Sequence, residues 1–144
     1  MNHLASLGML LGRIAIAAIF ILSGLGKFMD VEGTSAYMAS KGLTMIPFFL
    51  YAAATLEILA GLALLIGFKT RWAALLLALF MIPLILLFHA FWEVEGPVAR
   101  AAEMVAFLKD LAIFGGLLYI ASVGPGKYAL DRCCHKNCDS KSKV

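Results

Sequence analysis

The sequence predicts an all-α integral membrane protein, a bundle of four transmembrane helices in one domain. Three observations predict it. Of its 144 residues, 62% are hydrophobic and only 15% are charged. The mean hydropathy is +0.93. The apolar residues fall in four runs, each long enough to cross a bilayer core of about 30 Å as a helix. A soluble domain of this size carries about a quarter charged residues and lacks the interior to hide so much apolar surface. The runs are long and do not alternate, which argues against transmembrane strands. A net charge of +3 is mild and gives no reason to expect a nucleic-acid partner.

The first span covers about residues 4–28. It is expected to be a retained helix rather than a cleaved signal peptide. No Lys or Arg lies in residues 1–12, Arg13 interrupts the apolar run and Lys27 closes it. The second covers about 46–67, with Pro47 suited to a first helical turn. The third, about 72–92, carries Trp72 and Trp92 at its ends, as interfacial belts prefer, and Pro83 inside it marks a kink. The fourth covers about 97–123. It starts at Gly96-Pro97, and its first turns lie among the headgroups. In the first connecting loop, Thr34 or Ser35 can cap a short surface helix that Gly42 ends. An irregular loop is the alternative there.

Lys and Arg in short loops set orientation. The second loop holds Lys69 and Arg71, and the tail holds Lys127, Arg132, Lys136, Lys141 and Lys143. The first loop offers Lys41 beside Asp30 and Glu32, and the third offers Arg100 against Glu93, Glu95 and Glu103. Both termini are therefore expected on the cytoplasmic side. The transmembrane domain is expected over 1–131, followed by a basic cysteine-containing tail over 132–144.

Charges within a span are costly and mark sites or clamps. Arg13 and Glu57 lie at similar depths when each is counted from the cytoplasmic end of its own span. They are expected to form a buried ion pair, which serves either as a packing clamp or as a proton or ligand site. A second group lies towards the outer face: Lys27, His89, Lys109 and Asp110. These are the ligand-binding candidates, facing a cavity under the first loop. Lys109 and Asp110 are adjacent on a helix, so they point about 100° apart and only one can face that cavity squarely. Three cations and one acid suit an anionic or carbonyl-bearing ligand, and a quinone head group is the membrane-soluble candidate. Lys27 snorkelling to headgroups and His89 bonding a neighbouring helix are the plain structural alternatives. Small residues mark helix contacts: Gly8 with Gly12, then Ser23, Gly24 and Gly26, and Gly115 with Gly116.

All three cysteines lie in the tail, within Cys133-Cys134-His135-Lys136-Asn137-Cys138. Cys133, Cys134, His135 and Cys138 are weak metal candidates, because paired C-x-x-C spacing and a scaffold are missing. No metal is expected. No nucleophile triad, phosphate loop or dinucleotide fingerprint occurs.

Arg13, Ser23-Gly24-Leu25-Gly26-Lys27, Asp30, Gly33-Thr34 and Tyr37 resemble the start of the DoxX family. Gly42-Leu43, Glu57 with Gly61, and Gly67-Phe68-x-Thr70-Arg71 continue the pattern. So do Phe88-His89-x-Phe91-Trp92, Phe107-Leu108-Lys109 and Gly124-Pro125-Gly126. The resemblance runs over residues 8–131. Two departures are Asp110, where an Asn more often follows the Lys, and the cysteine tail. The resemblance implies a four-helix protein of the bacterial inner membrane. Namesakes of the family are associated with thiosulfate:quinone oxidoreductase, and others with complexes that handle thiol and oxidative stress. A small subunit of a membrane redox system, binding quinone near the outer face, is the first expectation. A non-catalytic anchoring or assembly protein is the second, and a small transporter or proton path the third. A protein partner or a homo-oligomer is compatible with each.

Overall fold

A computed structural model describes residues 3–131. The expected cysteine and His135 site falls outside these residues. Five α-helices and one short 3-10 turn follow one another: α1 (His3–Met29), α2 (Val31–Ser40), α3 (Ile46–Ile66), α4 (Thr70–Phe88), the turn Phe91–Glu93, and α5 (Pro97–Val123). Four segments are long and apolar enough to cross a membrane, namely α1, α3, α4 with its following turn, and α5. Their exposed side chains are themselves apolar, Leu4, Leu22, Trp72 and Val98 among them. That inverted surface is what a bilayer solvates, because lipid tails leave no drive to hide leucine.

The core is correspondingly small and is built from Ala17, Phe20, Leu64, Leu77, Met81 and Leu117. Helix α1 runs antiparallel to α3 along most of its length. Gly24 meets the Ala54 carbonyl and Ile58, and Gly61 meets Ala17 and Ile21. Helix α3 continues into α4, α4 pairs with α5, and α1 meets α5 where Ile16 touches Gly116. The glycine contacts expected from sequence therefore divide. Gly24 and Gly116 sit at helix crossings. Gly8, Gly12, Gly26 and Gly115 have nothing within 4 Å of where a Cβ would stand. Gly8 and Gly12 instead border an open groove between α1 and α5.

Local chemistry sets the element ends. Asp30, rather than Thr34 or Ser35, caps α2, its carboxylate accepting from the Gly33 N–H at 2.9 Å. A carboxylate on the first exposed N–H groups is a strong cap and starts the helix earlier. Gly67 closes α3 with φ +77, a left-handed conformation that favours glycine. The cap of α4 comes from far along the chain. The Lys69 and Thr70 N–H groups donate to the Asp131 carboxylate at 2.6 and 2.8 Å.

The third span departs from its expected continuous run to Trp92. Helix α4 passes through Pro83 but stops at Phe88, and His89 leaves helical geometry at φ −120, ψ 40. The chain then crosses to α5, where Phe91 and Trp92 pack their rings on Phe107 at 5.3 and 6.1 Å. That crossing brings His89 against α5.

Candidate ligand site at the α2 end of the bundle

A cavity of about 1140 Å³ opens between α1, α2, α3 and α4 at the end of the bundle that carries α2. Phe49, Leu56, Phe80 and Leu84 supply apolar wall, with Pro83 beside them. Lys27, Asp30, Thr34, Tyr37, His89 and Asp110 supply the polar wall. Of the four ligand candidates, Lys27, His89 and Asp110 line this cavity and Lys109 does not. Lys109 is exposed on the outer side of α5, one residue and about 100° round from Asp110.

Lys27 does not stand free. Its Nζ donates to Ser23 Oγ at 2.8 Å and to Glu57 Oε1 and Oε2 at 3.0 and 2.8 Å. An ammonium has three protons, and these three acceptors use them. Ser23 lies one turn before Lys27 on α1, and Glu57 faces both from α3. Glu57 is only 1% exposed. Its ion pair is thus with Lys27, at 2.8 Å, and not with Arg13.

The expected Arg13–Glu57 pair fails for a geometric reason. Depth counted from the cytoplasmic end of each span assumes that those helix ends lie in one plane. In the α1/α3 register, Arg13 lies level with Leu65, whose carbonyl accepts from Nη2 at 3.4 Å. Glu57 is eight residues before Leu65 on α3, about 12 Å away along the axis. Arg13, 2% exposed, instead binds the chain that follows α5. Its Nη1 donates to the Pro125 carbonyl at 2.7 Å and its Nη2 to the Tyr128 carbonyl at 2.6 Å. The Asp131 N–H donates to the Gly67 carbonyl close by, at 3.0 Å. The Gly-Phe-x-Thr-Arg turn, the Gly-Pro-Gly segment and Arg13 thus form one knot at the far end of the bundle from the cavity.

His89 sits between two carboxylates of α5. Nδ1 is 2.9 Å from Glu103 Oε2, and Nε2 is 3.4 Å from Asp110 Oδ2. The first contact is a hydrogen bond. The second is close enough for an ion pair but is not aligned as a hydrogen bond, so Asp110 Oδ2 is buried without a hydrogen-bond partner. Lys41, just after α2, approaches Glu103 Oε1 at 3.9 Å. Glu103 was legible only as a loop charge. The signal that it belongs here is its spacing of seven residues from Asp110, which returns to the same helix face after two turns.

The charge balance also differs from the expected three cations and one acid. Lys27 and His89 face Glu57, Asp110, Glu103 and Asp30, so an excess of positive charge is lost. Tyr37 adds a neutral donor. It lies on α2, stacks on Phe88 at 5.5 Å between ring centres, and has its phenol pKa raised, first by burial and then by the charge of Glu103. The wall therefore offers hydroxyl donors at Thr34 and Tyr37 and an unused acceptor at Asp110. It suits a neutral ligand with both carbonyl and hydroxyl character better than an anion.

A family model described as DoxX matches residues 8–90. The chain is 38% identical to the inner membrane protein YqjF of Escherichia coli K12 over 136 residues, covering 94% of this chain and 98% of the relative. It is 36% identical to the inner membrane protein YphA of the same organism over 124 residues, covering 86% and 88%. It is 36% identical over 131 residues to a Bacillus subtilis protein named "Putative oxidoreductase CatD", covering 91% and 90%. No solved structure gives a significant match.

Proposed function

The chain belongs to the DoxX family, and from that premise we propose that it is a small ligand-binding subunit of a membrane redox system. It is a multi-pass protein of the bacterial inner membrane. The ligand in this reading is a quinone or quinol whose head group enters the cavity at the α2 end. One observation carries it: Asp110 brings a carboxylate without a hydrogen-bond partner to the wall of an otherwise largely apolar cavity, its Oδ2 buried towards His89. Such an acceptor suits a ligand hydroxyl, and leaving it unpaired is costly. Tyr37 and Thr34 are the complementary donors to a ring carbonyl. The cavity is slightly larger than the usual small-molecule site, so a head group and the start of a tail both fit. The oxidoreductase name carried by CatD points to the same class of chemistry. In this reading electrons pass to or from a partner; the three cysteines, at 133, 134 and 138, lie outside the described residues.

The experiment is a quinone extraction from purified protein together with thermal unfolding in added decylubiquinone. A ligand at about 100 times its Kd adds about 2.7 kcal/mol of stability. Asp110→Ala should abolish the added stability. No extracted quinone and no thermal shift in the wild type would end this reading.

A second reading, a non-catalytic anchoring protein, has one observation of its own. Arg13, among the most deeply buried charges, spends its hydrogen bonds on backbone carbonyls. That is a packing role, and the anchoring reading stands if no ligand binds.

A further inference from the structure

His89 is gripped from both sides of its ring, and the two grips are not alike. Glu103 Oε2 lies at 2.9 Å from Nδ1 in hydrogen-bond geometry. An ionised carboxylate only accepts, so Nδ1 must carry the proton. In the neutral ring Nε2 is then the acceptor, and it faces Asp110 Oδ2 across 3.4 Å, close but not aligned as a hydrogen bond. His89 and Asp110 line the cavity, whereas Glu103 does not. Side-chain exposure rises along the row, from 19% at Asp110 through 22% at His89 to 27% at Glu103. The row starts on the cavity wall and ends at Glu103, the most exposed of the three.

We propose that Asp110, His89 and Glu103 form a proton relay joining the cavity to the aqueous side of α5. The steps balance without any electron transfer. A ligand O–H bond breaks as the cavity-facing oxygen of the Asp110 carboxylate takes the proton. A turn of the carboxyl group brings that proton to Nε2 of His89, and Nδ1 gives up its own proton to Glu103 Oε2, which releases it to water. One proton enters the row and one leaves. The imidazole is left as the other tautomer, and a ring turn or reverse transfer resets it.

The spacing supports a path rather than a single contact. Glu103 and Asp110 are seven residues apart, about 10 Å of backbone rise along α5, and their carboxylates converge from two turns on opposite nitrogens of one ring. Imidazole is the side chain whose two nitrogens can accept on one side and donate on the other. The surrounding charges come from every neighbouring element. Lys41 follows α2 and approaches Glu103, and Tyr37 faces it from α2. Lys27 and Asp30 reach the cavity at the end of α1, with Glu57 of α3 behind Lys27. Lys109 precedes Asp110 on α5, and Glu93 follows His89 on the 3-10 turn. Only the proton's source rests on the cavity being a ligand site.

The relay is testable without a ligand. The full chain is labelled with ¹⁵N-histidine in lipid nanodiscs, and His89→Asn assigns the ring among the three histidines. The wild-type ring should be the Nδ1–H tautomer. Exchange of that proton with water should slow about tenfold in Glu103→Gln and recover in Glu103→Asp. A merely structural Glu103 predicts the reverse, a freed ring exchanging faster. Unchanged or faster exchange, or an Nε2–H ring in the wild type, overturns the relay. The wild-type tautomer can overturn the relay even if a variant fails to fold. A parallel arm adds decylubiquinol. If it does not bind while exchange behaves as stated, the quinone reading falls and the relay stands.

Discussion

Lys27 and Glu57 form a buried ion pair between α1 and α3, with Lys27 Nζ 2.8 Å from Glu57 Oε2. The pair sits one turn from the closest approach of the two helices, where Gly24 meets Ala54. Lys27 also lines the cavity, so the pair joins helix packing to one wall of the site.

Removing one partner leaves the other charge buried and alone. Lys27→Met strands Glu57, which is 1% exposed. Breaking such a pair costs about 3–5 kcal/mol, whereas replacing both charges by apolar residues is often neutral. Lys27→Met and Glu57→Leu should each lower the thermal midpoint in detergent by several degrees, and the double variant should regain most of it. A double variant no better than the worse single one would show that the pair does not act as a unit.

Sequence reading reached this pair's members but not their pairing. Hydropathy gave the four spans and the fourth span's start at Pro97, because length and apolarity in a bilayer are local properties of the chain. The register between helices is not local. It depends on where Gly24 and Gly61 let α1 and α3 approach, and that stagger moved Arg13 away from Glu57. The end of α4 was hidden for a similar reason. Phe91 and Trp92 look like a continuing apolar run, yet their rings pack on Phe107 of another helix. Lys27, His89 and Asp110 were legible as a group because polar residues near one end of an apolar bundle stand out. Glu103 was not, because from sequence it read as one more charge in the third loop.

Arg13 ties the segment after α5 to the end of α3, and lysine cannot reproduce the tie. The guanidinium holds the Pro125 and Tyr128 carbonyls through separate nitrogens. An ammonium is a single point on a shorter reach. Arg13→Lys should cost roughly 2–4 kcal/mol, the scale of one or two charge-assisted hydrogen bonds. Limited proteolysis should then cut within 124–131 faster than in the wild type. Asp131→Ala, which removes the α4 cap, should cost about 1 kcal/mol and open the same segment. Equal cleavage rates in all three proteins would contradict the tie.

Tyr37 should report on the cavity through its phenol. Burial and the Glu103 charge both oppose ionisation, so its pKa lies above the ordinary tyrosine value. The folded state then holds this proton more tightly than the unfolded state. That contribution to stability is fully present below the unfolded pKa of about 10 and is lost as pH rises through the folded value. Phenolate absorbance should show one late-titrating tyrosine that disappears in Tyr37→Phe, and Glu103→Gln should move that late step to lower pH. A late step that survives in Tyr37→Phe would assign it to another tyrosine.

The glycines offer the sharpest contrast within one helix. A Cβ on Gly24 would lie 2.8 Å from the Ala54 carbonyl oxygen and 2.7 Å from an Ile58 side-chain carbon. Backbone cannot yield there without parting α1 from α3. Gly24→Ala should therefore cost about 1–3 kcal/mol, the usual scale of overpacking. It should also disturb the nearby Lys27–Glu57 pair. Gly8→Ala and Gly12→Ala meet nothing within 4 Å and replace a poor helix former by a good one. They should leave stability unchanged or raise it by up to about 1 kcal/mol per site. Thermal unfolding of the three variants under one detergent condition ranks them. A Gly12→Ala protein as unstable as Gly24→Ala would mean that the α1/α5 groove is closed by a contact as tight as the one at Gly24.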